Sequence, residues 1–150
     1  MEENVKCNSY FEGILHTYAA LNQPNSTLWY EYEVCAFEKT ENIAASLKEN
    51  FTEFSQQRNI TLKRINLYDL ELYVKQWFFQ NGEIHKLNIN TDRQAWEASN
   101  FCNSIAVALE LSEFYYVDNL TFEYELGILY DYFVLIGATK NYLLYFRYSD

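Results

Sequence analysis

The sequence predicts an α+β fold, a mixed α/β chain with one sheet that ends in an antiparallel hairpin and packs against about four helices. Three observations predict it. The hydrophobic period switches repeatedly between three-to-four residues and two, as it does where helices and strands follow one another. The runs Phe133-Val-Leu-Ile-Gly137 and Tyr142-Leu-Leu-Tyr-Phe-Arg-Tyr148 flank a short polar loop, Ala138-Thr-Lys-Asn141, and read as a terminal hairpin. A chain of this length buries roughly 68–70% of its unfolded surface, enough for a core without metals or disulfides, and no linker, repeat or low-complexity tract divides it. Residues 1–150 therefore form a single globular domain.

Each element has its own warrant. From Ser9 to Leu21, the residues Phe11, Ile14, Leu15, Tyr18 and Ala19 mark one helical face, and the turn beginning at Asn22 and Pro24 ends it. From Leu28 to Phe37, Tyr30, Tyr32, Val34 and Ala36 alternate with Trp29, Glu31, Glu33, Cys35 and Phe37, a strand with its glutamates on one face. Thr40 can cap a helix whose core face is Ile43, Leu47, Phe51 and Phe54, and Ile60 to Ile65 is a short β-like run. Asn66 and Asp69 form a capping arrangement for a helix through Leu67, Leu70, Val74, Trp77 and Phe78, which Asn81-Gly82 stops with glycine at a left-handed C′ position. Glu83 to Asn90 reads as a strand through Ile84, Leu87 and Ile89. Thr91 with Gln94 forms a capping box for a long helix to about Leu111, on the repeat of Ala95, Ala98, Cys102, Ile105 and Leu109. Residues 121–131 fit a strand and a helix equally.

The charge lies on two flanks. The net −10 divides into −5 over residues 1–38, +1 over residues 39–93 and −6 over residues 94–150. Between Arg93 and Lys140 the chain runs 46 residues without a basic side chain while carrying seven acids interleaved with Phe and Tyr. A field of that sign repels nucleic acid and anionic membranes and steers basic proteins inward. The flanks either meet in space or make two negative faces; the alternative is a solvated acidic surface serving solubility. Fourteen tyrosines exceed what a core needs, because each buried hydroxyl wants a partner, so some belong to the surface.

Other chemistry is excluded by missing residues. Cys7, Cys35 and Cys102 are an odd number at wide spacing, and the N-terminus MEENVKCNSY has no basic segment leading an apolar run, so a reduced, cytoplasmic protein is expected. The four glycines stand alone, which removes the phosphate-cradling loops. His16, His85 and the cysteines contain no pair at metal-ligand spacing, so no metal or other cofactor is expected. Cys102 on an apolar helix face reads as a small buried hydrophobe. The carboxylate pairs Glu31 with Glu33 and Glu123 with Glu125 have a glycosidase-like separation of about 6–7 Å, but their polar surroundings offer none of the desolvation that raises a catalytic pKa. No enzyme is expected.

The residues in place suit binding a cation-rich protein. Acids alternating with aromatics pair with Arg and Lys while the rings supply contact area. The candidate partner-binding residues are Tyr30, Glu31, Tyr32, Glu33, Glu113, Tyr115, Tyr116, Asp118, Glu123, Tyr124, Glu125 and Asp131. The acidic layout, the lack of enzymatic motifs and the β-rich end DYFVLIGATKNYLLYFRYSD resemble the bacterial toxin-immunity proteins of contact-dependent inhibition and polymorphic-toxin systems. That resemblance implies a cytoplasmic inhibitor bound one-to-one to a basic cognate toxin, frequently a nuclease, with no nucleic-acid or membrane partner. Two other classes stay open: a phage-type nucleic-acid mimic, and a small enzyme with an unrecognised site.

Overall fold

In a computed structural model, the backbone is described for residues 2–120 and 129–149 and the side chains for residues 9–120 and 129–149. Among the described residues four helices, α1 (Glu2–Asn22), α2 (Ile43–Asn50), α3 (Leu67–Phe79) and α4 (Thr91–Ala108), accompany five strands, β1 (Trp29–Phe37), β2 (Thr61–Ile65), β3 (Glu113–Asp118), β4 (Leu129–Ile136) and β5 (Asn141–Ser149). The strands make one sheet in the order β1-β5-β4-β3-β2, antiparallel at every pairing. The fold is α+β, and β4 and β5 form the expected C-terminal hairpin beside β1. None of these helices is long and apolar enough to cross a membrane.

The run from Asn141 to Phe146 is buried at every position, so β5 is covered on both faces. Its even residues face α1 and α3: Leu144 and Phe146 join Leu15 from α1, Val74 and Trp77 from α3, and Ile105 from α4. Its odd residues face the other way, where Leu143 and Tyr145 meet Leu47 of α2 and Phe54 of the 3₁₀ turn Thr52–Phe54. The sheet is thus the middle of three layers. Each such buried aliphatic or aromatic side chain contributes about 1.5–3 kcal/mol.

Several expectations are corrected. Residues 83–90 form no strand; Glu83–Leu87 is a 3₁₀ turn closed by Asn88 at φ 52°. Its backbone is used elsewhere, since the Ile84 N–H donates to Asn22 Oδ1 at 3.1 Å. The fifth strand is instead β3, whose Phe114 and Tyr116 alternate with Tyr115 and Val117. The cap of α2 is Asn42, which accepts from Ala45 N–H at 3.1 Å, while the Thr40 hydroxyl bonds Ser46. That helix stops at Asn50 before the 3₁₀ turn. The cap of α4 is Asn90, accepting from Asp92 N–H at 2.8 Å, whereas Gln94 donates to the Ile89 carbonyl rather than closing a box with Thr91. Glu110 at φ 53° helps end α4 short of Leu111. The capping box of Asn66 and Asp69 on α3 is present.

Gly82 is not left-handed, as its φ is −149°. It is glycine because a Cβ there would sit 2.5 Å from Cβ of Asn22. Asn22 is wholly buried, and its Nδ2 donates to the carbonyls of Tyr18 at 3.0 Å, Trp77 at 3.2 Å and Phe78 at 3.0 Å. With Oδ1 on Ile84, this one amide ties the ends of α1 and α3 to the 3₁₀ turn.

Candidate functional site

The pleat of the sheet divides the candidate residues. The register aligns Glu31 with Arg147 and Tyr130, and Glu33 with Tyr145 and Tyr132, on the α2 face. Glu113 and Tyr115 share that face. Tyr30, Tyr32, Tyr116, Asp118 and Asp131 alternate onto the opposite face, toward α1 and α3. Glu123, Tyr124 and Glu125 lie outside the described residues. The two acidic flanks therefore meet in one sheet, where β1 of the first pairs with β5 of the second.

On the α2 face the carboxylates already have partners within the chain. Arg147 donates through Nη2 to Glu31 Oε2 at 2.6 Å and through Nη1 to Glu53 Oε2 at 3.2 Å and the Tyr132 hydroxyl at 2.9 Å. Its guanidinium also lies over the Tyr145 ring, 5.0 Å from the centroid. Side-chain exposure is 13% for Arg147 and 16% for Glu53 against 43% for Glu31, so the hub is internal with one wet carboxylate. Burial opposes the charge on Arg147, yet Tyr132 and Glu31 hold its pKa above the ordinary value. Glu33 is 2.8 Å from His16 Nε2, and Glu113 accepts from the Tyr115 hydroxyl at 2.8 Å with Arg64 at 3.7 Å. Glu31, Glu33 and Glu113 are thus engaged by side chains of this chain.

The opposite face differs. Asp131 is half-buried, and its Oδ2 accepts from Trp77 Nε1–H at 2.7 Å while Oδ1 accepts from the Tyr116 hydroxyl at 2.8 Å. Burial raises the Asp131 pKa although both hydrogen bonds pull it down. Tyr73 of α3 stacks on Tyr116 with ring centroids 5.3 Å apart. Burial raises the Tyr73 pKa, and the neighbouring charges that add to it are those of Asp131, Asp69 and Asp118, all acidic. Asp118 is exposed at the end of β3, and Lys63 is the base that the β2–β3 register sets opposite Tyr116. The result is an anionic patch walled by tyrosine rings.

Tyr30 and Tyr32 both brace the sheet from within the chain. Tyr32 is wholly buried with its hydroxyl donating to the Trp77 carbonyl at 2.6 Å, so it cannot touch a partner. The Tyr30 hydroxyl donates to the Asn81 carbonyl at 2.7 Å, and its ring stacks on Tyr148 at 5.1 Å. Trp77, Tyr73, Arg147 and Glu53 were not among the candidate site residues of the sequence. Trp77 left a usable signal: a core-facing indole needs an acceptor, and Asp131 supplies it.

Cys35 and Cys102 are poor nucleophiles. Burial, with Glu33, Glu12 and Glu53 nearby, pushes the Cys35 thiol up to about 11, and burial followed by Glu71 raises Cys102 further. Because the thiolate is the reactive form, iodoacetamide at about pH 7.5 is expected to leave both unmodified in the folded chain. Peptide mass spectrometry checks this, and labelling of either at a free-thiol rate would contradict it. Among the described residues no group of three or more His, Cys, Asp or Glu side chains is placed to hold a metal. No protein-family model, curated protein or solved structure matches the chain.

Proposed function

We propose that this chain is an immunity-type inhibitor that binds and neutralises a basic cognate toxin through the acidic, aromatic end of its sheet. One observation carries the reading. Asp131 is a desolvated carboxylate bonded to two neutral donors, Trp77 and Tyr116, with Asp118 and Asp69 acting on the same tyrosine shelf. An Arg or Lys from a partner supplies the missing counter-charge, and the rings of Tyr73 and Tyr116 supply cation–π faces. A nuclease is the natural class of target, since a site built to hold phosphates is basic. Glu31, Glu33 and Glu113 support the proposed surface from behind through their internal pairs.

The test is co-expression with the product of the adjacent gene, followed by association kinetics. The rate is expected to fall at least about tenfold as salt rises from about 50 to 500 mM, because the Debye length shrinks from about 14 to 4 Å. Asp118→Lys, at an exposed position where it loses the bond from Asn119 N–H at 2.8 Å, is expected to slow association at low salt while costing at most about 1 kcal/mol of stability. A rate flat with ionic strength, or one indifferent to Asp118→Lys, would remove electrostatic steering and with it this reading.

A further inference from the structure

The two faces of the sheet repeat one tyrosine arrangement, and on the α2 face the chain shows what that arrangement holds. There Tyr132 and Tyr145 stack with ring centroids 5.0 Å apart and 25° between their planes. Arg147 engages both members of the pair: it donates to the Tyr132 hydroxyl at 2.9 Å and lays its guanidinium over the Tyr145 ring, while Glu31 and Glu53 balance its charge. On the opposite face Tyr116 and Tyr73 stack at 5.3 Å and 15°. The Tyr116 hydroxyl lies at a carboxylate, 2.8 Å from Asp131 Oδ1. Stacked pair, hydroxyl and carboxylate thus recur, yet no ion pair among the described residues includes Asp131 or Asp118.

The geometry selects the shape of the cation that completes it. Trp77 Nε1–H donates to Oδ2 at 2.7 Å and the Tyr116 hydroxyl to Oδ1, so each oxygen of Asp131 keeps a lone pair and the two donors fix the carboxylate plane. Two open acceptors side by side match the fork of a guanidinium, whereas an ammonium meets them as a point charge. The Tyr116 oxygen, having donated its hydrogen, can accept a further guanidinium N–H, as Tyr132 does from Arg147. The ring of Tyr73 offers a planar, weakly hydrated cation the face that Tyr145 offers Arg147. A lysine is already at hand: the β2–β3 register sets Lys63 opposite Tyr116 on this face, and it makes no ion pair with Asp131 or Asp118. We infer that the Asp131 site is a receptor for an arginine side chain, with Asp131 taking the guanidinium fork and Tyr73 carrying its plane as the specificity-determining residue. The inference rests on the binding reading above and narrows the incoming cation to arginine over lysine.

Two blocked amino acids of equal charge, N-acetylarginine amide and N-acetyllysine amide, test it. The Trp77 indole N–H reports directly on Asp131, and the exposed indoles of Trp29 and Trp96 serve as controls in the same nuclear magnetic resonance titration at low salt. The arginine amide is expected to move the Trp77 signal with a dissociation constant at least about fivefold below that of the lysine amide. Asp131→Asn, which removes the charge, and Tyr73→Leu, at a partly exposed position, are each expected to cancel that preference. Equal dissociation constants for the two amides, or an arginine preference that survives both variants, overturns the inference. It fails separately from the toxin reading: equal amides beside a salt-steered complex remove arginine selectivity alone, and an arginine-selective shift beside an unsteered complex removes the toxin and keeps the receptor.

Discussion

Arg147→Met is expected to lower stability by about 3 kcal/mol, because removing the cation strands the desolvated carboxylate of Glu53 and unpairs that of Glu31. Glu53 has little access to water and sits in the 3₁₀ turn that closes the α2 layer, so its unpaired charge loosens that layer. Glu31 is wetter, which keeps the cost toward the lower end of the range for broken buried pairs. Urea unfolding is expected to show the midpoint falling by about 1–2 M with an unchanged slope. Adding Glu31→Gln and Glu53→Gln to Arg147→Met restores most of the loss, since the penalty belongs to the orphaned charges and not to the missing contact. Arg147→Lys recovers only part, because Glu31 Oε2 takes two guanidinium N–H bonds, at 3.1 and 2.6 Å, that an ammonium cannot reproduce together with those to Glu53 and Tyr132. A loss below about 1 kcal/mol in Arg147→Met would make the hub an ordinary surface pair. The same result explains why charge reversal at Glu31 and Glu33 is a poor probe of binding: Glu31→Lys places a cation against Arg147 and strikes folding first.

How far the sequence could be read follows from where each interaction is encoded. Helix α3 was legible because its capping box opens directly onto the 13 residues that carry its apolar period. The faces of β1 were legible for the same reason, and the structure keeps Glu31 and Glu33 together, opposite Tyr30 and Tyr32. Strand β3 was overlooked because acids at both ends, Glu113 and Asp118, made a short alternation resemble an acidic surface loop. The turn at 83–87 was misread because Ile84, Leu87 and Ile89 mimic a strand, while the contact that decides its path is the amide of Asn22, 62 residues earlier. The candidate site suffered most from this limit. Composition marks Glu31 as an anion available to a partner, but only the β1–β5 register, 116 residues apart in sequence, reveals Arg147 across from it. Asp131 lay in a stretch whose period fits two structures, so its burial against Trp77 had no local signature.

Asp131 carries the second large effect. Asp131→Ala is expected to cost about 2–3 kcal/mol, because it leaves the Trp77 indole N–H, wholly inside the core, without an acceptor. Asp131→Asn behaves differently. Its Oδ1 can accept from Trp77 while its Nδ2–H donates to the Tyr116 oxygen, so both bonds survive and the charge is gone. The sign of the pH effect follows from the raised pKa of Asp131 in the folded state, where burial outweighs the two donors. A carboxyl whose folded pKa exceeds its unfolded value of 3.8 binds more protons in the folded protein; its contribution is fully present below that value and lost as pH rises through the folded pKa. Wild type should therefore lose stability relative to Asp131→Asn as pH rises above about 4, with the asparagine variant equal or more stable at pH 7. Paired urea titrations across that range measure it, and a wild type that gains on Asp131→Asn with rising pH would show that the hydrogen bonds, not burial, govern this carboxylate. The proposed complex would turn the same energetics to use. A partner cation delivered to the patch favours the ionised form, so complex formation releases protons wherever free Asp131 is partly protonated, and calorimetry in buffers of different ionisation enthalpy is expected to register that release in wild type and lose it in Asp131→Asn.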